Sequence, residues 1–250
     1  MALPKITKPI FSVKLPSNGK EVFYRPMSVK EEKILLIAQQ GASQASKEKD
    51  IEKLAESAKQ NMLASIQVVN NCLIEETDVK NMSQIDFEYI FVAIRAKSQS
   101  NVMEITINDE HKKKISVEVD VENIEVVRNE DHTNKIDLGN DITLIMRYPT
   151  VESTIHRIDA SIDPSRSAVV QYEIMRDCLD SVVDGDSVTK FDDEKLEDID
   201  IWMDDLQKPV LSKIEDFFRT SPILRYTFPY VNSKNEQKTL VIQGFESFFI

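Results

Sequence analysis

Residues 85–119 read IDFEYIFVAIRAKSQSNVMEITINDEHKKKISVEV. Apolar residues recur at three- and four-residue spacing from Ile85 to Ala96, which predicts a largely buried helix over Asp86–Lys97. After this helix, apolar and polar residues alternate on either side of the charged tip Asn108–Lys114, and the alternation predicts a β-hairpin. A helix followed directly by a hairpin indicates a fold that mixes both kinds of secondary structure.

The N-terminal region predicts another hairpin and another helix. Apolar residues alternate with polar ones within Phe11–Tyr24, and Pro16–Gly19 supplies the turn. Ser28 is the expected N-cap of a helix that runs to about Gln40, because its hydroxyl can accept a hydrogen bond from a free amide of the first turn. We expect Gly41–Gln44 to end this helix.

The remaining elements follow from the same two periodicities. We expect a long amphipathic helix over 51–73, then strands that extend the same sheet near 124–127, 135–138 and 142–148, helices over 151–158, 167–179, 193–206 and from Pro209 onward, and a last hairpin over 224–230 and 239–242. The order of helix, strand, polar tip and strand at 85–119 occurs again at 210–242, which suggests two copies of one helix-plus-hairpin unit.

Together these elements predict an α+β fold, in which β-hairpins and a small antiparallel sheet combine with several amphipathic helices. The chain has 250 residues and is 41% hydrophobic, so it can bury a core without disulfides or metals. We expect three segments: an N-terminal arm and hairpin (1–27), a helical segment followed by an antiparallel sheet (28–149), and a helical segment with a C-terminal hairpin and an aromatic tail (150–250).

The charge balance argues against nucleic acid and membranes as partners. The chain has 31 basic and 43 acidic residues, a formal net charge of -12, and therefore repels phosphate backbones and anionic lipids. The opening lacks a signal-peptide pattern, and no apolar stretch approaches the length that spans a bilayer. Cys72 and Cys178 lie in apolar helical patterns, which predicts two reduced core thiols and the cytoplasm as compartment.

The sequence offers little for catalysis. His111 and His132 lie in predicted polar connections and His156 on a predicted helix surface, so we expect all three histidines to be solvent-exposed. The chain has five glycines and contains no G-x-S-x-G turn, no phosphate-binding glycine loop and no H-E-x-x-H helix. We therefore expect no enzymatic activity, no small-molecule substrate, no cofactor and no bound metal.

The acidic stretch Asp184–Glu194 is the strongest candidate for a metal loop, because its carboxylates are spaced as in a calcium-binding loop. The match fails at three positions: Val188 replaces a ligand, Thr189 replaces the glycine, and Lys195 replaces the final glutamate. A solvated acidic loop is the better interpretation. A metal-regulated module, or an unrecognised enzyme that uses this loop, remains the alternative function.

The chain ends in an apolar cluster of Phe245, Phe248, Phe249 and Ile250, where chain ends are usually polar. Two interpretations stay open. The cluster folds back on the last hairpin as part of the core, or it binds a groove of a partner protein, where a few buried aromatic residues can supply most of the binding energy. These four residues are the predicted partner-binding site.

The first 38 residues, MALPKITKPIFSVKLPSNGKEVFYRPMSVKEEKILLIA, carry four short motifs. These are Met1–Lys5, Leu15–Lys20, Arg25-Pro26 and Val29–Lys33. The opening resembles that of the baseplate hub assembly proteins of T-even-type, contractile-tailed bacteriophages. Three later stretches are also similar to that family: FEYIFVAIRAKSQSNVMEITI (87–107), KIDLGNDITLIMRYPT (135–150) and the phenylalanine-rich ending (244–249).

The resemblance implies a non-enzymatic, late structural protein or chaperone-like assembly factor that helps to build the baseplate hub. Its partners would be other hub or wedge proteins of the baseplate. It would act in the host cytoplasm during tail assembly, and it would remain in the virion if it is a structural component. Many relatives carry Cys-x-x-Cys at their hairpin tips, like half of a zinc ribbon. The tips here, Asn108–Lys114 and Asn232–Gln237, have no cysteine, so no metal ligands carry over.

Overall fold

The computed structural model describes residues 7–48, 51–98, 102–120, 124–160 and 163–243. Within these ranges the chain forms helices α1 (Val29–Glu48), α2 (Ile51–Cys72), α3 (Gln84–Ala96), α4 (Val151–Ala160), α5 (Ser167–Asp177), α6 (Leu196–Asp204) and α7 (Lys208–Thr220). The strands are β1 (Phe11–Lys14), β2 (Glu21–Tyr24), β3 (Val102–Asn108), β4 (Lys114–Asp120), β5 (Glu125–Val127), β6 (Lys135–Gly139), β7 (Ile142–Met146), β8 (Leu179–Asp184), β9 (Ser187–Lys190), β10 (Ile223–Val231) and β11 (Gln237–Gln243).

The strands pair in four small antiparallel sheets, so the α+β fold class is confirmed. Strands β1–β2 and β3–β4 are separate hairpins, β10 lies between β11 and β5, and the fourth sheet has the order β6-β7-β8-β9. The expectation that the strands after β4 extend its sheet is wrong. Strand β5 pairs instead with β10, with Val127 opposite Ile223, and β7 pairs with β8. Alternation predicts a strand, but it does not specify the partner of that strand.

Helix α1 does not end at Gly41, contrary to the prediction, but continues to Glu48. One glycine inside a helix costs about 1 kcal/mol relative to alanine, which does not stop a helix that other contacts hold. The helix begins directly after Ser28, as expected. The hydroxyl of Ser28 donates to the carboxylate of Glu31, and the Ser28 N–H donates to the same carboxylate at 2.8 Å. The glutamate therefore caps the backbone.

Three clusters of buried side chains form the core of the part of the chain that the structure describes. The first joins the hairpin β1–β2 to α1–α4, the second lies between α3 and the strands β10–β11, and the third lies between the sheet β6–β9 and α5–α7. Helix α3 contributes to two clusters, because Phe87 and Phe91 belong to the first whereas Ile85 and Val92 belong to the second. This double role explains why the helix lacks a polar stripe.

Arg25 links the hairpin β1–β2 to two helices. Its guanidinium donates to a carboxylate oxygen of Glu31 at 3.1 Å and to the carbonyl oxygen of Asn71 at 2.7 Å. Its backbone N–H donates to the carbonyl of Cys72 at 2.9 Å. Burial alone raises the pKa of Glu31, but the hydrogen bonds from Arg25 and Ser28 outweigh burial and lower it to about 2. The Arg-Pro motif thus has a structural role at the ends of α1 and α2.

The tips of the hairpins β3–β4 and β10–β11, residues 109–113 and 232–236, adopt the same turn. The first residue of each tip accepts hydrogen bonds on its side-chain oxygen from the N–H groups of the third and fifth residues, at 2.8–2.9 Å. The fourth residue of each tip is left-handed, with a φ of 60° at Lys112 and 65° at Asn235. The two hairpins therefore share a local structure, although their sequences differ.

The two tips also bind each other, in an arrangement that we call the tip clasp. The backbone N–H of Ser233 donates to the carboxylate of Asp109 at 3.0 Å. The side-chain amide of Asn232 donates to the carboxylate of Glu110 at 2.6 Å. The first residue of each tip thus contacts the second residue of the other. The clasp joins parts of the chain that are more than 120 residues apart.

Among the described residues, no helix has the length and apolar character that crossing a membrane requires.

Candidate protein-binding groove

The acidic stretch Asp184–Glu194 does not form the predicted solvated loop. Its first part is the turn and second strand of the hairpin β8–β9, where Asp184 pairs with Ser187 across a two-residue connection. Gly185 is the first connecting residue and has a φ of 56°, a conformation that glycine adopts without strain. Residues 191–193 then form one short 3-10 turn before α6. Where a loop was predicted, the chain therefore forms β9, a strand at the edge of the fourth sheet.

An open groove of about 660 Å³ lies between this hairpin and α6. Alternate residues of the sheet face it, including Val182 of β8 and Thr189 of β9, which pair with each other. Phe191 and Trp202 provide its aromatic surface, with ring centroids 5.1 Å apart in an edge-to-face arrangement. Phe191 is buried and Trp202 is half-buried, so the aromatic floor is continuous with the third core cluster.

Four exposed carboxylates line the groove, those of Asp184, Glu194, Asp198 and Asp205. None of them forms a side-chain hydrogen bond or an ion pair within the part of the chain that the structure describes, and none of the described residues that line the groove is a lysine or an arginine. We call this set the acidic rim. The rim leaves the groove with a negative charge that the described residues do not balance.

Two other acidic residues of α6, Asp200 and Asp204, are paired. Asp200 accepts a hydrogen bond from the guanidinium of Arg176 at 3.1 Å, and Asp204 accepts one from the Tyr172 hydroxyl at 3.4 Å. Both partners lie on α5. One side of α6 therefore uses its carboxylates to hold α5, whereas Asp198 and Asp205 lie seven residues apart, on the side that faces the groove.

An ion pair fixes the chain at the entrance to α6. The guanidinium of Arg147 lies 2.8 Å from the carboxylate of Asp192, and the Nε of Arg147 donates to the carbonyl oxygen of Asp177 at 2.7 Å. The hydrogen bond from Arg147 lowers the pKa of Asp192, so this carboxylate is ionised at neutral pH. Arg147 thus holds the end of β7, the end of α5 and the short turn before α6 together.

The carboxylates of the hairpin are not gathered around one point. Among the described residues, only Glu110, His111 and Glu236 bring three ligand atoms to within 4.8 Å of one another, and they lie at the tip clasp. All three are exposed, and the ammonium group of Lys238 lies 3.7 Å from the Glu110 carboxylate and 3.3 Å from that of Glu236. One lysine already pairs with both carboxylates, so the group is an ion-pair cluster.

The predicted solvent exposure is wrong for one of the three histidines. His111 and His156 are exposed, as predicted, but His132 is half-buried, stacks on Tyr148 and lies against Phe217 in a tilted arrangement. Its Nε2 hydrogen-bonds to the Tyr148 hydroxyl at 2.8 Å and its Nδ1 to the Thr220 hydroxyl at 2.9 Å. Burial lowers the pKa of His132. The polar residues around His132 in the sequence therefore gave no indication of its tertiary contacts.

Both cysteines are free, buried thiols, as the sequence predicted. Burial raises the pKa of Cys72 to about 11 and that of Cys178 to about 12. Because the thiolate is the nucleophilic form, both side chains are chemically inert at neutral pH. The predicted partner-binding residues Phe245, Phe248, Phe249 and Ile250 lie outside the described residues, so their assignment stays a prediction.

Sequence patterns alone did not locate the groove. Two signals were present: Gly185 between residues that alternate in a strand pattern, and the seven-residue spacing of Asp198 and Asp205 with Trp202 between them. The helix pattern shows that these three residues lie near one face of α6. It does not show that this face lies opposite a sheet, because that depends on the pairing of β8 with β7.

Comparisons with known proteins give one match. No curated protein and no solved structure matches the chain. Residues 8–250, nearly the whole chain, match the family described as T4 bacteriophage base plate protein. The match includes the hairpin β1–β2, α1 and the acidic groove. The chain therefore belongs to the T4 bacteriophage base plate protein family, and it is a structural component of a phage baseplate.

Proposed function

We propose that this protein is a non-enzymatic component of the baseplate hub, and that it helps to assemble the hub by binding other baseplate proteins. Its family supports a place in the baseplate and contacts with other baseplate proteins. The observation that carries the proposal is the groove, in which an aromatic floor is surrounded by four carboxylates without partners in the described chain.

The groove has the layout of a protein interface. Binding energy at such interfaces concentrates in a few aromatic contacts at the centre, and a polar rim excludes water around them. Trp202 and Phe191 form such a centre and the acidic rim surrounds it. Unpaired carboxylates add little to the stability of a free protein, but they add attraction and specificity when a partner brings cations.

Other observations support a non-enzymatic role. The two thiols are buried and protonated at neutral pH. His132 uses both ring nitrogens on neutral hydroxyls, which hold it in the core. His111 and His156 are exposed and lie on different elements, a tip and the helix α4. A nucleophile, a base and an orienting group must be in mutual contact for covalent catalysis.

A phage that lacks this gene tests the proposal. We expect it to lyse its host without completing tails, and to accumulate baseplate parts in which the hub is absent. Complete, infectious tails without the protein would contradict a hub function. Accumulated hubs without wedges would contradict the assignment to the hub but not to the baseplate.

Mass spectrometry of purified wild-type tails separates the two forms of the proposal. A structural hub protein would be present in fixed proportion to the other hub proteins. A protein that acts only as an assembly factor in the host cytoplasm would be absent from mature tails but bound to hub intermediates in lysates.

A further inference from the structure

We infer that the acidic groove receives a basic segment of another baseplate protein, in which lysine or arginine residues flank one large apolar side chain. The inference rests on the proposed function and names the chemistry of the partner. The apolar side chain packs on Trp202 and Phe191, and the flanking cations pair with the acidic rim.

The negative charge of the groove favours a positively charged partner. The rim has four carboxylates, and the chain as a whole has a formal net charge of -12. Both the local and the long-range field therefore attract a cationic segment and repel an acidic one. The same field disfavours a second copy of this chain, because two copies bring together two strongly negative surfaces.

The aromatic floor of the groove favours a partner with a large apolar side chain. Trp202 is half-buried, so part of its indole surface faces the groove while the rest packs on Phe191. A volume of about 660 Å³ admits a few side chains. A lysine or arginine beside the anchor can extend its alkyl stem along the aromatic floor and place its charge at the rim. A partner segment can place one apolar side chain and its neighbouring cations in this way either as a helix or as an extended strand.

Trp202 is the one tryptophan of the chain, so its fluorescence reports occupation of the groove. The probe is a synthetic 14-residue peptide of leucine and lysine, and the matched control has glutamate in place of each lysine. We expect the lysine peptide to shift the Trp202 emission saturably, with an affinity that falls as salt is added, and the glutamate peptide to cause no shift.

The variant E194K/D205K tests the rim. Glu194 and Asp205 make no side-chain hydrogen bond or ion pair within the described chain, and Asp205 caps the C-terminus of α6, where a cation is favourable. We expect normal melting and an affinity for the lysine peptide weakened by about tenfold, because two attractions become repulsions. The matched variant E75K/E76K reverses two exposed charges between α2 and α3 and should bind as wild type.

Equal affinity in E194K/D205K and E75K/E76K would overturn the inference, and so would a peptide that binds without changing the Trp202 emission. If E194K/D205K does not fold, the neutral variant E194Q/D205N replaces it, with a smaller but measurable loss of affinity. A shift to dimers at the concentrations of the titration would show that a second copy occupies the groove, and would also overturn it.

Phage genetics identifies the partner. We expect a phage that carries E194K/D205K to assemble few tails, and suppressors to replace lysine or arginine by an acidic or neutral residue in another baseplate gene. Normal tails from this phage would contradict the inference while leaving the proposed function intact, since that function is tested by the loss of the whole protein. Suppressors confined to this chain would also overturn the inference.

Discussion

The guanidinium of Arg25 and the carboxylate of Glu31 form an ion pair of 3.1 Å in which the glutamate is only 1% exposed. The arginine also holds the last turn of α2, so the pair fixes two helices and a hairpin at one point. Both residues belong to the motifs by which the opening resembles the hub assembly proteins. Their common role is structural, and it explains why those residue types occur together in this protein.

Replacement of Glu31 by glutamine should destabilise the protein. The change leaves Arg25 without its charged partner, and breaking a buried pair of this kind costs about 3 kcal/mol. Urea denaturation should show a lower midpoint with an unchanged slope. The control is Glu32→Gln, the adjacent carboxylate, which should change the free energy of unfolding by less than about 0.5 kcal/mol. Equal effects of the two substitutions would contradict the structural role of the pair.

The same pair predicts a dependence on pH. The pKa of Glu31 is about 2 in the folded protein, below the ordinary value of 4.5. A depressed pKa means that the folded state favours the carboxylate, so its stabilisation is complete above about pH 4.5 and is lost as the pH falls toward 2. The difference in unfolding free energy between wild type and Glu31→Gln should therefore shrink over this range. A constant difference would show that the ion pair is not its source.

His132 predicts a second pH effect, at higher pH. Burial lowers its pKa below the ordinary value of 6.5, so the folded protein favours the neutral ring. Stability should therefore be complete above about pH 6.5 and should decrease as the pH falls below it, down to the pKa in the folded state. His132→Gln keeps a polar side chain but cannot be protonated. Unfolding free energies at pH 7.5 and 5.5 should differ more in wild type than in this variant.

Asp109→Ala should release the tip clasp. The substitution removes the acceptor for the N–H groups of His111, Lys113 and Ser233. Hydrogen exchange should accelerate at both tips, although the mutation lies in only one of them, and should be unchanged in α2. Lys112→Ala alters the same tip without removing an acceptor, so it is the control for effects within that tip. Acceleration restricted to residues 109–113 would show that the tips are independent.

The C-terminal cluster gives a further prediction. Deletion of Phe248–Ile250 removes two large aromatic side chains, and burial of each is worth roughly 1.5–3 kcal/mol. If the cluster belongs to the core, the truncated protein should melt at a lower temperature. If it binds a partner, melting should be unchanged and tail assembly should fail. Normal melting together with normal assembly would contradict both interpretations.

The sequence predicted most elements but few of their partners. Helix α3 and the hairpins β3–β4 and β10–β11 were predictable because periodicity is a local property. The four-stranded sheet was not, since the predicted helix 167–179 reached the first residue of β8, no strand was predicted over the rest of β8, and β9 was assigned to a loop. The three segments proposed from the sequence, 1–27, 28–149 and 150–250, remain a prediction.

Only the amino-acid composition of the candidate site could be predicted from the sequence, not its geometry. The acidic residues of 184–205 were evident, but their division into paired and unpaired sets depends on where α5 lies. His132 shows the same limit, because its two hydroxyl partners are 16 and 88 residues away in sequence. Local patterns cannot report contacts of that kind.

The packing of α3 against β10 has a consequence for synthesis of the protein. The ribosome must add about 130 residues between the end of α3 and the start of β10, which takes on the order of ten seconds. During that interval the face of α3 that carries Ile85, Val92 and Ala96 lacks β10 and β11, which supply the other buried residues of its cluster. The nascent chain therefore keeps an apolar helix face incompletely covered until β10 is synthesised, and such a face favours aggregation.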